Sequence, residues 1–161
     1  MKTWQQIATI SPSILVGVPD TASKISIFQV TWQEAQQALQ AVRIPVFVVE
    51  QSVSPAFEWD EIDAYAVHLL ALHHAQPIAC LRIIEYQKIG RMAVLKEWRN
   101  KGLGKALLNE AIRICRAQGS AYIRLSAQTH ALPFYQKAGF RQTSAEYIDV
   151  HIPHVDMQLD L

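Results

Sequence analysis

The residues best suited to bind an anion lie in a short basic loop between an apolar run and an amphipathic run. Arg99, Lys101 and Lys105 supply cationic side chains, and Gly102 and Gly104 remove Cβ atoms where a ligand must approach the backbone. The unpaired N–H groups of a following helix, and its dipole, add positive charge. The sequence therefore predicts a phosphate or pyrophosphate site; an ordinary strand-to-helix turn with solvated cations is the alternative.

The spacing of this loop separates it from the two common nucleotide motifs. A P-loop requires glycine where Arg99 stands, and serine or threonine where Ala106 stands. A dinucleotide fingerprint requires a third glycine at the position of Leu107. The pattern that fits is R-x-x-G-x-G, which runs from Arg99 through Gly102 to Gly104.

The composition indicates a globular protein with one core. The chain has 161 residues, half of them hydrophobic, and a formal net charge of +1. These values argue against disorder and against broad binding of nucleic acid by a basic surface. Cys80 and Cys115 lie in apolar runs, so two buried free thiols are expected, and no metal-binding spacing of cysteine and histidine is present.

The N-terminal part of the sequence carries little structural signal. Residues 1–24 show no sustained periodicity, and we expect an N-terminal extension that packs on a single domain of residues 25–161. No apolar run approaches the length of a membrane span, and the pattern of a secretory signal is missing. We therefore expect a cytoplasmic protein without a membrane partner.

Hydrophobic periodicity and capping residues predict the elements that hold the basic loop. Thr31 and Glu34 have the spacing of a capping box, which predicts a helix that begins after Thr31 and that Pro45 ends. Residues 46–51 fit either a short helix or an extended segment, and residues 52–61 fit a loop. Apolar runs predict one early strand and an antiparallel meander of three strands: Ile25–Val30, Tyr65–Ala71, Ile78–Ile84 and Lys88–Leu95.

The second half of the chain predicts a strand–helix–strand unit. Apolar residues recur at helical spacing over Leu103–Ala117, and Gly119 fits the residue that ends this helix. The helix joins Lys88–Leu95 to Ala121–Leu125 as parallel strands, adjacent or nearly so. A further helix and two closing strands follow: His130–Ala138, Thr143–Val150 and Val155–Leu159. The predicted fold class is α/β (α+β), with a mixed, mostly antiparallel central sheet and helices on both faces.

Two motifs, in this order, resemble the GCN5-related N-acetyltransferases (the GNAT superfamily). The loop at Arg99–Gly104 is similar to their acetyl-CoA pyrophosphate loop, and Ala131–Phe140 is similar to their A-x-x-F-Y-x-K-x-G-F segment. The resemblance covers about residues 25–161. It is narrowed to the ElaA/YjcF-like branch by four further features: residues 46–51, the acidic loop with Asp60 and Asp63, His68, and the tail at residues 152–154.

The resemblance implies the acyl-CoA N-acyltransferase fold, in which a parallel strand pair splays apart, here Lys88–Leu95 and Ala121–Leu125. The pantetheine arm of acetyl-CoA, the cosubstrate, is expected in that wedge against the backbone of Met92, Ala93 and Val94. The pyrophosphate is expected among the loop residues, namely Arg99, Asn100, Lys101, Gly102, Leu103, Gly104 and Lys105. The middle or adenine end of the cosubstrate is expected beside Gln128, Phe134 and Lys137.

Acetyl transfer to an amine requires a neutral amine, a polarised thioester carbonyl and a proton for the leaving thiol, and orientation supplies much of the rate. Tyr135 matches the family tyrosine near the thioester sulfur and is expected to act as general acid. The alternative for Tyr135 is a core aromatic packed beside Phe134. Backbone N–H groups near Val94 could polarise the carbonyl.

The acceptor side and the general base have a weaker pattern. Glu50 is the preferred acceptor-site residue, because it ends an apolar run that should anchor it near the cleft, and it is also predicted as a catalytic residue. Lys88 stands where some relatives carry a glutamate base, and a water chain is an alternative to a single base. The acceptor site is predicted at Glu50, Asp60, Asp63 and His154, because carboxylates attract a cationic amine. A solvated acidic face and structural histidines are the alternatives; Glu85, His68 and His151 complete the candidate bases.

The sequence thus predicts an acetyl-CoA-dependent N-acetyltransferase that acts by direct transfer in a ternary complex. The acceptor is predicted to be a primary amine of a small molecule or peptide. A non-catalytic acyl-CoA-binding module that senses or recruits is the alternative, and a nucleotide-binding protein unrelated to CoA is disfavoured by the two failed motifs. No nucleic acid or metal is expected, and a homodimer stays open because dimers are common in the family.

Overall fold

The computed structural model describes residues 6, 14–16 and 25–161, and in this part of the chain nine strands form one sheet. The strands are Ile14–Val16 (β1), Ile25–Val30 (β2), Val67–His73 (β3), Gln76–Ile84 (β4), Lys88–Val94 (β5), Tyr122–Gln128 (β6), Arg141–Gln142 (β7), Tyr147–Asp149 (β8) and Ile152–Asp160 (β9). Their order is β1-β2-β3-β4-β5-β6-β9-β7, and β8 also pairs with β9. Of these described strands, β5 and β6 pair in parallel and the other pairs are antiparallel.

Four α-helices accompany the sheet in the described residues: Trp32–Arg43 (α1), Pro55–Glu58 (α2), Leu103–Ala117 (α3) and Leu132–Lys137 (α4). A π-helical segment, Ile44–Glu50, continues α1, and short 3₁₀ turns occur at Glu61–Ala64, Lys96–Trp98 and Thr129–Ala131. None of the described helices is long and apolar enough to cross a bilayer. The predicted strand Ile25–Val30 and the predicted helix Leu103–Ala117 are confirmed at both ends.

The start of α1 follows from local chemistry. The Thr31 hydroxyl accepts a hydrogen bond from the backbone N–H of Glu34 at 3.3 Å, and the Glu34 carboxylate accepts one from the backbone N–H of Thr31 at 3.1 Å. This is the predicted capping box, and it satisfies two donors that a helix start leaves open. Beyond Pro45 the chain stays helical, so residues 46–51 adopt the helical alternative almost throughout.

Each face of the sheet carries its own core. In β3, Leu69 and Ala71 pack on the side of α3, whereas Leu70 and Leu72 pack on the side of α1. A strand that is apolar on both faces is buried on both, which explains why β3 and β4 read as continuous apolar runs. The predicted helices on both faces of the sheet are therefore confirmed, with α3 packed on one face and α1 on the other.

The closing strands differ from the prediction. The sequence predicts one strand over Thr143–Val150. In the structure this stretch contains only the short strand β8, and β7 lies just before it and ends at Gln142. The predicted connection at residues 151–154 is also wrong, since β9 already begins at Ile152. The turn lies one step earlier, at Val150 and His151, which have positive φ angles of 43° and 58°. Residues 52–61, predicted as a loop, contain the short helix α2.

The prediction for residues 1–24 falls almost entirely outside the described residues and stays a prediction. Within that stretch the backbone of β1 is described, and it pairs antiparallel with β2 over three residues, from Ile14 opposite Ile27 to Val16 opposite Ile25. Cys80 and Cys115 are free and buried, as expected from the apolar runs that contain them.

Candidate active site

A cleft opens where β5 and β6 diverge. These two strands are paired at one position, Lys88 opposite Arg124, and the Arg124 N–H donates to the Gln87 carbonyl at 2.8 Å. Beyond that point they separate, and a cleft of about 890 Å³ lies between them. The strand pair therefore splays as the fold class requires, and it leaves the backbone of β5 open along one edge.

A β-bulge shapes the floor of this cleft. The register between β4 and β5 shifts after the pair Cys80–Ala93, so that the next pair is Arg82–Gly90. Arg91 takes up the extra residue with a φ of +46°. A bulge turns the strand and leaves ladder groups unpaired, so it frees backbone N–H groups of β5 for a ligand in the cleft.

The basic loop closes one end of the cleft. Gly102 caps α3 with a φ of +80°, a conformation that glycine adopts without strain, and it provides no side-chain cap for the first turn. The cleft is lined here by Asn100, Gly102, Leu103, Gly104 and Lys105. The free N–H groups at the start of α3, a helix of fifteen residues, therefore face the same space as the basic side chains of Arg99 and Lys105.

Glycine at position 104 allows a close approach between α3 and the rest of the cleft wall. A Cβ atom there would lie 3.1 Å from the Cε of Met92 and 3.6 Å from the ring of Phe134. All three residues line the cleft. The second glycine of the motif thus allows a close packing contact, whereas the first has a backbone angle that favours glycine.

Arg99 is held by two contacts that the sequence did not foresee together. Its Nε donates to the Val94 carbonyl at 2.9 Å, and its two terminal nitrogens donate to both carboxylate oxygens of Glu50 at 2.9 Å. The predicted base and the predicted pyrophosphate arginine thus form a bidentate ion pair across the rim of the cleft. Glu50 does not line the cleft wall itself, although Arg99 does.

Of three other residues predicted to contact the cosubstrate, one lines the cleft and two do not. Gln128 lines the cleft and exchanges side-chain amide hydrogen bonds with Gln51, at 2.8 Å and 3.3 Å. Lys101 does not line the cleft, and its ammonium lies 5.1 Å from the ring centre of Trp98. Lys137 is exposed and also lies outside the cleft wall. Contact of either lysine with the cosubstrate would have to occur beyond the cleft.

Tyr135 lies in the cleft wall between Phe134 and Phe140, with ring centres 5.0 Å and 5.9 Å away. Its hydroxyl lies 3.9 Å from the sulfur of Met92 across the cleft. Burial raises the pKa of Tyr135 to about 12. The phenol is therefore protonated at neutral pH and can donate a proton into the cleft.

The acidic loop is not the solvated face that was the alternative reading of the sequence. Asp63 is buried and accepts hydrogen bonds from Arg43 at 2.7 Å and from Arg82 at 2.9 Å. Glu58 is buried too and accepts from Arg43 at 2.6 Å. Asp60 accepts from Arg82 at 2.6 Å. These carboxylates and guanidinium groups neutralise one another, with Glu58 and Arg82 in the cleft wall and Asp60 and Asp63 outside it.

The position of Asp63 bears on its predicted role with the acceptor amine. Asp63 and Asp60 are absent from the residues that line the cleft, whereas Glu58, Arg82 and Arg91 are present. Partial burial opposes ionisation of Asp60, but the hydrogen bond and charge of Arg82 outweigh it and hold its pKa below the ordinary value. Burial raises the pKa of Glu58 against the opposing charges of Arg43 and Arg91.

The histidines separate into two groups. His154 lines the cleft, its Nδ1 lies 2.8 Å from the Ile152 carbonyl, and its ring stacks on Tyr147 at 6.1 Å. His68 is buried outside the cleft, with Nε2 at 2.9 Å from the Asp63 carbonyl, and burial lowers its pKa. His151 contacts the Gln51 carbonyl at 3.1 Å, also outside the cleft wall. Glu85 is exposed and does not line the cleft.

Sequence reasoning missed several polar residues of the cleft: Glu58, Arg82, Lys88 as a wall residue, Arg91 and Ser126. Arg82 had a usable signal, because a charge in the middle of an apolar strand must be paired or face a cavity. Ser126 had the alternation of β6 as a signal, since every second side chain of that strand faces the same side. The described residues contain no group of three or more His, Cys, Asp or Glu side chains that could hold a metal ion.

Comparisons with known proteins give the class to which this fold and site belong. The acetyltransferase (GNAT) domain family matches residues 33–161. The uncharacterised N-acetyltransferase YjcF of Bacillus subtilis is 35% identical over 123 residues, which cover 74% of this chain and 88% of YjcF. An acyl-CoA N-acyltransferase from Pseudomonas aeruginosa has a similar crystal structure, with a TM-score of 0.73, 31% identity and coverage of 85% of this chain and 99% of that one.

The crystal structure of ElaA from Escherichia coli is also similar, with a TM-score of 0.75, 27% identity and coverage of 83% of this chain and 98% of ElaA. The chain belongs to the GNAT family of N-acetyltransferases, in its ElaA/YjcF-like branch. It is therefore a GNAT-type N-acetyltransferase that uses an acyl-CoA, and the resemblance stated from the two motifs is confirmed.

Proposed function

We propose that this protein transfers an acetyl group from acetyl-CoA to a primary amine of a small molecule or peptide, directly and within a ternary complex. The observation that supports this most is the continuity of one cleft. It runs from the basic loop at Arg99–Lys105, along the open backbone of β5, to the hydroxyl of Tyr135. Both substrates of a direct transfer would meet in such a cleft without a covalent enzyme intermediate.

The dimensions and chemistry of the cleft suit acetyl-CoA. The helix start at Gly102, with Lys105 and Asn100 beside it, suits a pyrophosphate. The splayed edge of β5 at Met92, Ala93 and Val94 offers backbone groups to the amide-containing pantetheine arm. Arg99 would contribute charge to the same anion, and its carbonyl contact to Val94 ties the loop to the strand. Gln128 and Phe134 would flank the arm further along the wall.

The transfer itself requires a proton to leave the amine and another to reach the thiolate. We assign the second proton to Tyr135, because its raised pKa keeps it protonated and its hydroxyl opens on the cleft beside Met92. For the first proton the sequence pointed to Glu50. Its bidentate ion pair with Arg99 also makes it a positioning residue for the loop.

The acceptor is expected beyond the bulge at Arg91, where Glu58, Lys88, Asp149 and His154 line the wall. His154 and Glu50 remain proposed acceptor contacts. Asp60 and Asp63 would act from below, by holding Arg82 and Arg43 in place, rather than by touching the amine.

The proposal is tested by calorimetric titration with acetyl-CoA, CoA and ATP, followed by thiol release from acetyl-CoA in the presence of an amine panel. We expect tight binding of both CoA species, no comparable binding of ATP, and thiol release only when an amine is added. Binding of acetyl-CoA without amine-dependent release would instead support a non-catalytic acyl-CoA sensor. Binding of ATP in place of CoA would overturn the assignment of the loop.

A further inference from the structure

A chain of three polar side chains leaves the cleft at β6 and ends in a second cavity. The Ser126 hydroxyl is hydrogen-bonded to the Tyr147 hydroxyl, and the Tyr147 hydroxyl donates to the Asp156 carboxylate at 2.7 Å. Ser126 lines the main cleft. Asp156 lines an adjoining cavity of about 490 Å³, whose wall shares Lys88, Leu125 and Ser126 with the cleft. The three residues come from three different strands, β6, β8 and β9.

The strand pairing holds this chain in register. Ser126 and Asp156 are direct partners across the antiparallel pair of β6 and β9, and Tyr147 is opposite His154, two residues earlier on β9. The imidazole of His154 stacks on the Tyr147 ring at 6.1 Å with an interplanar angle of 20°. This stacking helps to hold the Tyr147 hydroxyl between Ser126 and Asp156, with which it forms hydrogen bonds.

The hydrogen bonds of this chain have one direction. An ionised carboxylate only accepts, so the single hydroxyl proton of Tyr147 must point to Asp156. Tyr147 then has no proton left for Ser126, and Ser126 must donate to the Tyr147 oxygen. The lone pairs of the Ser126 oxygen are consequently available to accept a proton from the side of the cleft.

The parallel pair at Lys88 and Arg124 sets the level of Ser126 along the cleft. Two residues further along each strand lie Gly90 and Ser126, immediately before the bulge at Arg91. This is the end of the splayed wall at which the acceptor is expected, on the side away from the basic loop. Ser126 is therefore placed to face an amine that attacks at the bulge.

We propose that Ser126, Tyr147 and Asp156 form a proton relay that carries the proton of the acceptor amine from the cleft to the second cavity. This inference rests on the proposed function. The bound ammonium group first gives a proton to the Ser126 oxygen, while the serine proton passes to Tyr147 and the tyrosine proton passes to Asp156, which releases it to water. The neutral amine then attacks the acyl carbon and the carbon–sulfur bond breaks. The thiolate takes its proton from Tyr135, and the second proton that the nitrogen loses restores Tyr135.

The surroundings of the relay fit this direction of transfer. Two cationic side chains, those of Lys88 and Arg124, line the second cavity together with Asp156. Asp149 and His154 are the titratable groups beside Tyr147, from β8 and β9. Partial burial is the main cause that raises the pKa of Tyr147. The phenol therefore gives a proton to Asp156 only as it receives another from Ser126. Glu50 is not required as the base in this scheme.

The test compares two acceptors in wild-type protein, in variants of the three relay residues and in one control variant. n-Butylamine is an ammonium ion near neutral pH, whereas methoxyamine is already neutral there. Asp156→Asn and Tyr147→Phe should each lower kcat/KM for n-butylamine by about 10–100-fold near neutral pH, since general-base assistance has about this size. Both defects should shrink with methoxyamine and at high pH. Affinity for acetyl-CoA should not change.

Asp160→Asn is the matched control, because Asp160 is an exposed carboxylate of the same strand that pairs with Arg141 and lines neither cavity. It should behave as wild type with both amines. The double variant Asp156→Asn/Tyr147→Phe should be no slower than either single variant, because each substitution alone already interrupts the relay. Ser126→Thr should retain most of the rate and Ser126→Ala should not.

The outcomes distinguish this inference from the function on which it rests. A wild-type protein that binds acetyl-CoA and acetylates no amine would overturn both. An active wild-type protein with unimpaired Asp156→Asn and Tyr147→Phe variants would overturn the relay alone. An equal loss with n-butylamine and methoxyamine would also overturn it, since a defect in positioning does not depend on the protonation state of the amine.

Discussion

Removal of a single oxygen atom separates proton donation by Tyr135 from packing of its ring. The hydroxyl has one described polar contact, to the Met92 sulfur at 3.9 Å, whereas the ring packs against Phe134 and Phe140. Tyr135→Phe should therefore lower kcat by about 100-fold or more, the usual size of general-acid assistance. The affinity for CoA and the melting temperature should stay close to wild type.

Steady-state kinetics and calorimetry check this expectation. Tyr122→Phe is the control, because the Tyr122 hydroxyl also has one weak contact, to Gln87 at 3.4 Å, but lies outside the cleft wall. A normal kcat in Tyr135→Phe would remove the tyrosine from the role of general acid. Its raised pKa would then be a consequence of burial with no catalytic use.

Glu50 can act as a base, as an anchor for Arg99, or as both, and one substitution separates these roles. Glu50→Gln removes the charge that now neutralises Arg99, so we expect tighter binding of CoA, because the guanidinium is released toward the pyrophosphate. The free energy of unfolding should change by at most about 1 kcal/mol, since both partners are roughly one-third exposed.

Calorimetric affinity for CoA and kcat are the two readouts for Glu50→Gln. If Glu50 is the base, kcat falls strongly while affinity rises. If it only positions Arg99, kcat changes little. Glu97→Gln controls for general electrostatics, since Glu97 is an exposed carboxylate in the turn just before Arg99. Weaker binding of CoA to Glu50→Gln would contradict the view that the pair restrains Arg99.

At the scale of elements, the two glycines of the loop differ in what they do. Gly102 and Gly119 have nearly the same positive φ, +80° and +78°, and a Cβ atom at either would meet no atom within 4 Å. Alanine at either position should cost about 1–2 kcal/mol of stability from backbone strain alone. Only Gly102 lines the cleft, so only Gly102→Ala should also weaken binding of acetyl-CoA.

Thermal melting and calorimetry of Gly102→Ala and Gly119→Ala test this contrast directly. Gly102→Asn is a useful third variant, because asparagine tolerates a positive φ better than other residues and should recover stability. Equal affinity for acetyl-CoA in Gly102→Ala and Gly119→Ala would mean that the loop is not the anion site. A larger valine side chain at position 102 should deepen the binding defect further.

The elements that could be predicted were those with local signals. The capping box at Thr31 and Glu34 placed the start of α1, and the spacing of apolar residues placed α3 to the residue. The R-x-x-G-x-G pattern carried its own context, a strand before and a helix after, which is why the loop and its strand appear as expected. Local chemistry decides such features, so sequence contains them.

The features that the sequence left open or placed wrongly depend on partners that are distant along the chain. The sequence could not decide whether the acidic loop is solvated, because the arginines that pair with residues 58, 60 and 63 lie at positions 43, 82 and 91, on a helix and two strands. The closing strands were misread because β9 is long enough to pair with β6, β7 and β8, which propensity cannot show. Ser126, Tyr147 and Asp156 meet only through that pairing.

At the scale of the whole molecule, the buried charges beneath the cleft tie its floor to the stability of the fold. Arg43, Glu58 and Asp63 are each almost fully buried, and the guanidinium of Arg43 also lies 4.7 Å from the ring centre of Trp59. Such groups contribute little net stability as a pair, but removal of one partner leaves an uncompensated charge. The network therefore acts mainly to hold α1, α2 and β4 in one arrangement.

His68 gives this network a dependence on pH. Its Nε2 lies 2.9 Å from the Asp63 carbonyl, and burial is the main cause that lowers its pKa below the ordinary 6.5. The folded chain therefore binds a proton at His68 less tightly than the unfolded chain. The contribution of His68 is fully present above about pH 6.5, and stability is lost as the pH falls below that value.

Other groups shift stability in neighbouring ranges and must be separated from His68. The pKa of His73 is also lowered, chiefly by burial and then by the charges of His74 and Lys101, so it acts in the same direction. Glu58 has a raised pKa, so its contribution to stability falls as the pH rises, whereas Asp60 has a lowered pKa and acts in the same direction as the histidines. The difference in slope between wild type and a His68 variant therefore isolates the contribution of His68.

His68→Gln should flatten the rise in the free energy of unfolding between pH 5 and 7, because glutamine keeps an N–H donor but does not titrate. Urea denaturation followed by tryptophan fluorescence measures this, since Trp32 lies 5.7 Å from His68 and 6.0 Å from Trp59. A residual slope should remain from His73. A slope equal to that of wild type would show that protonation of His68 is not opposed by the fold, and the Asp63 contact would then survive when the imidazole is charged.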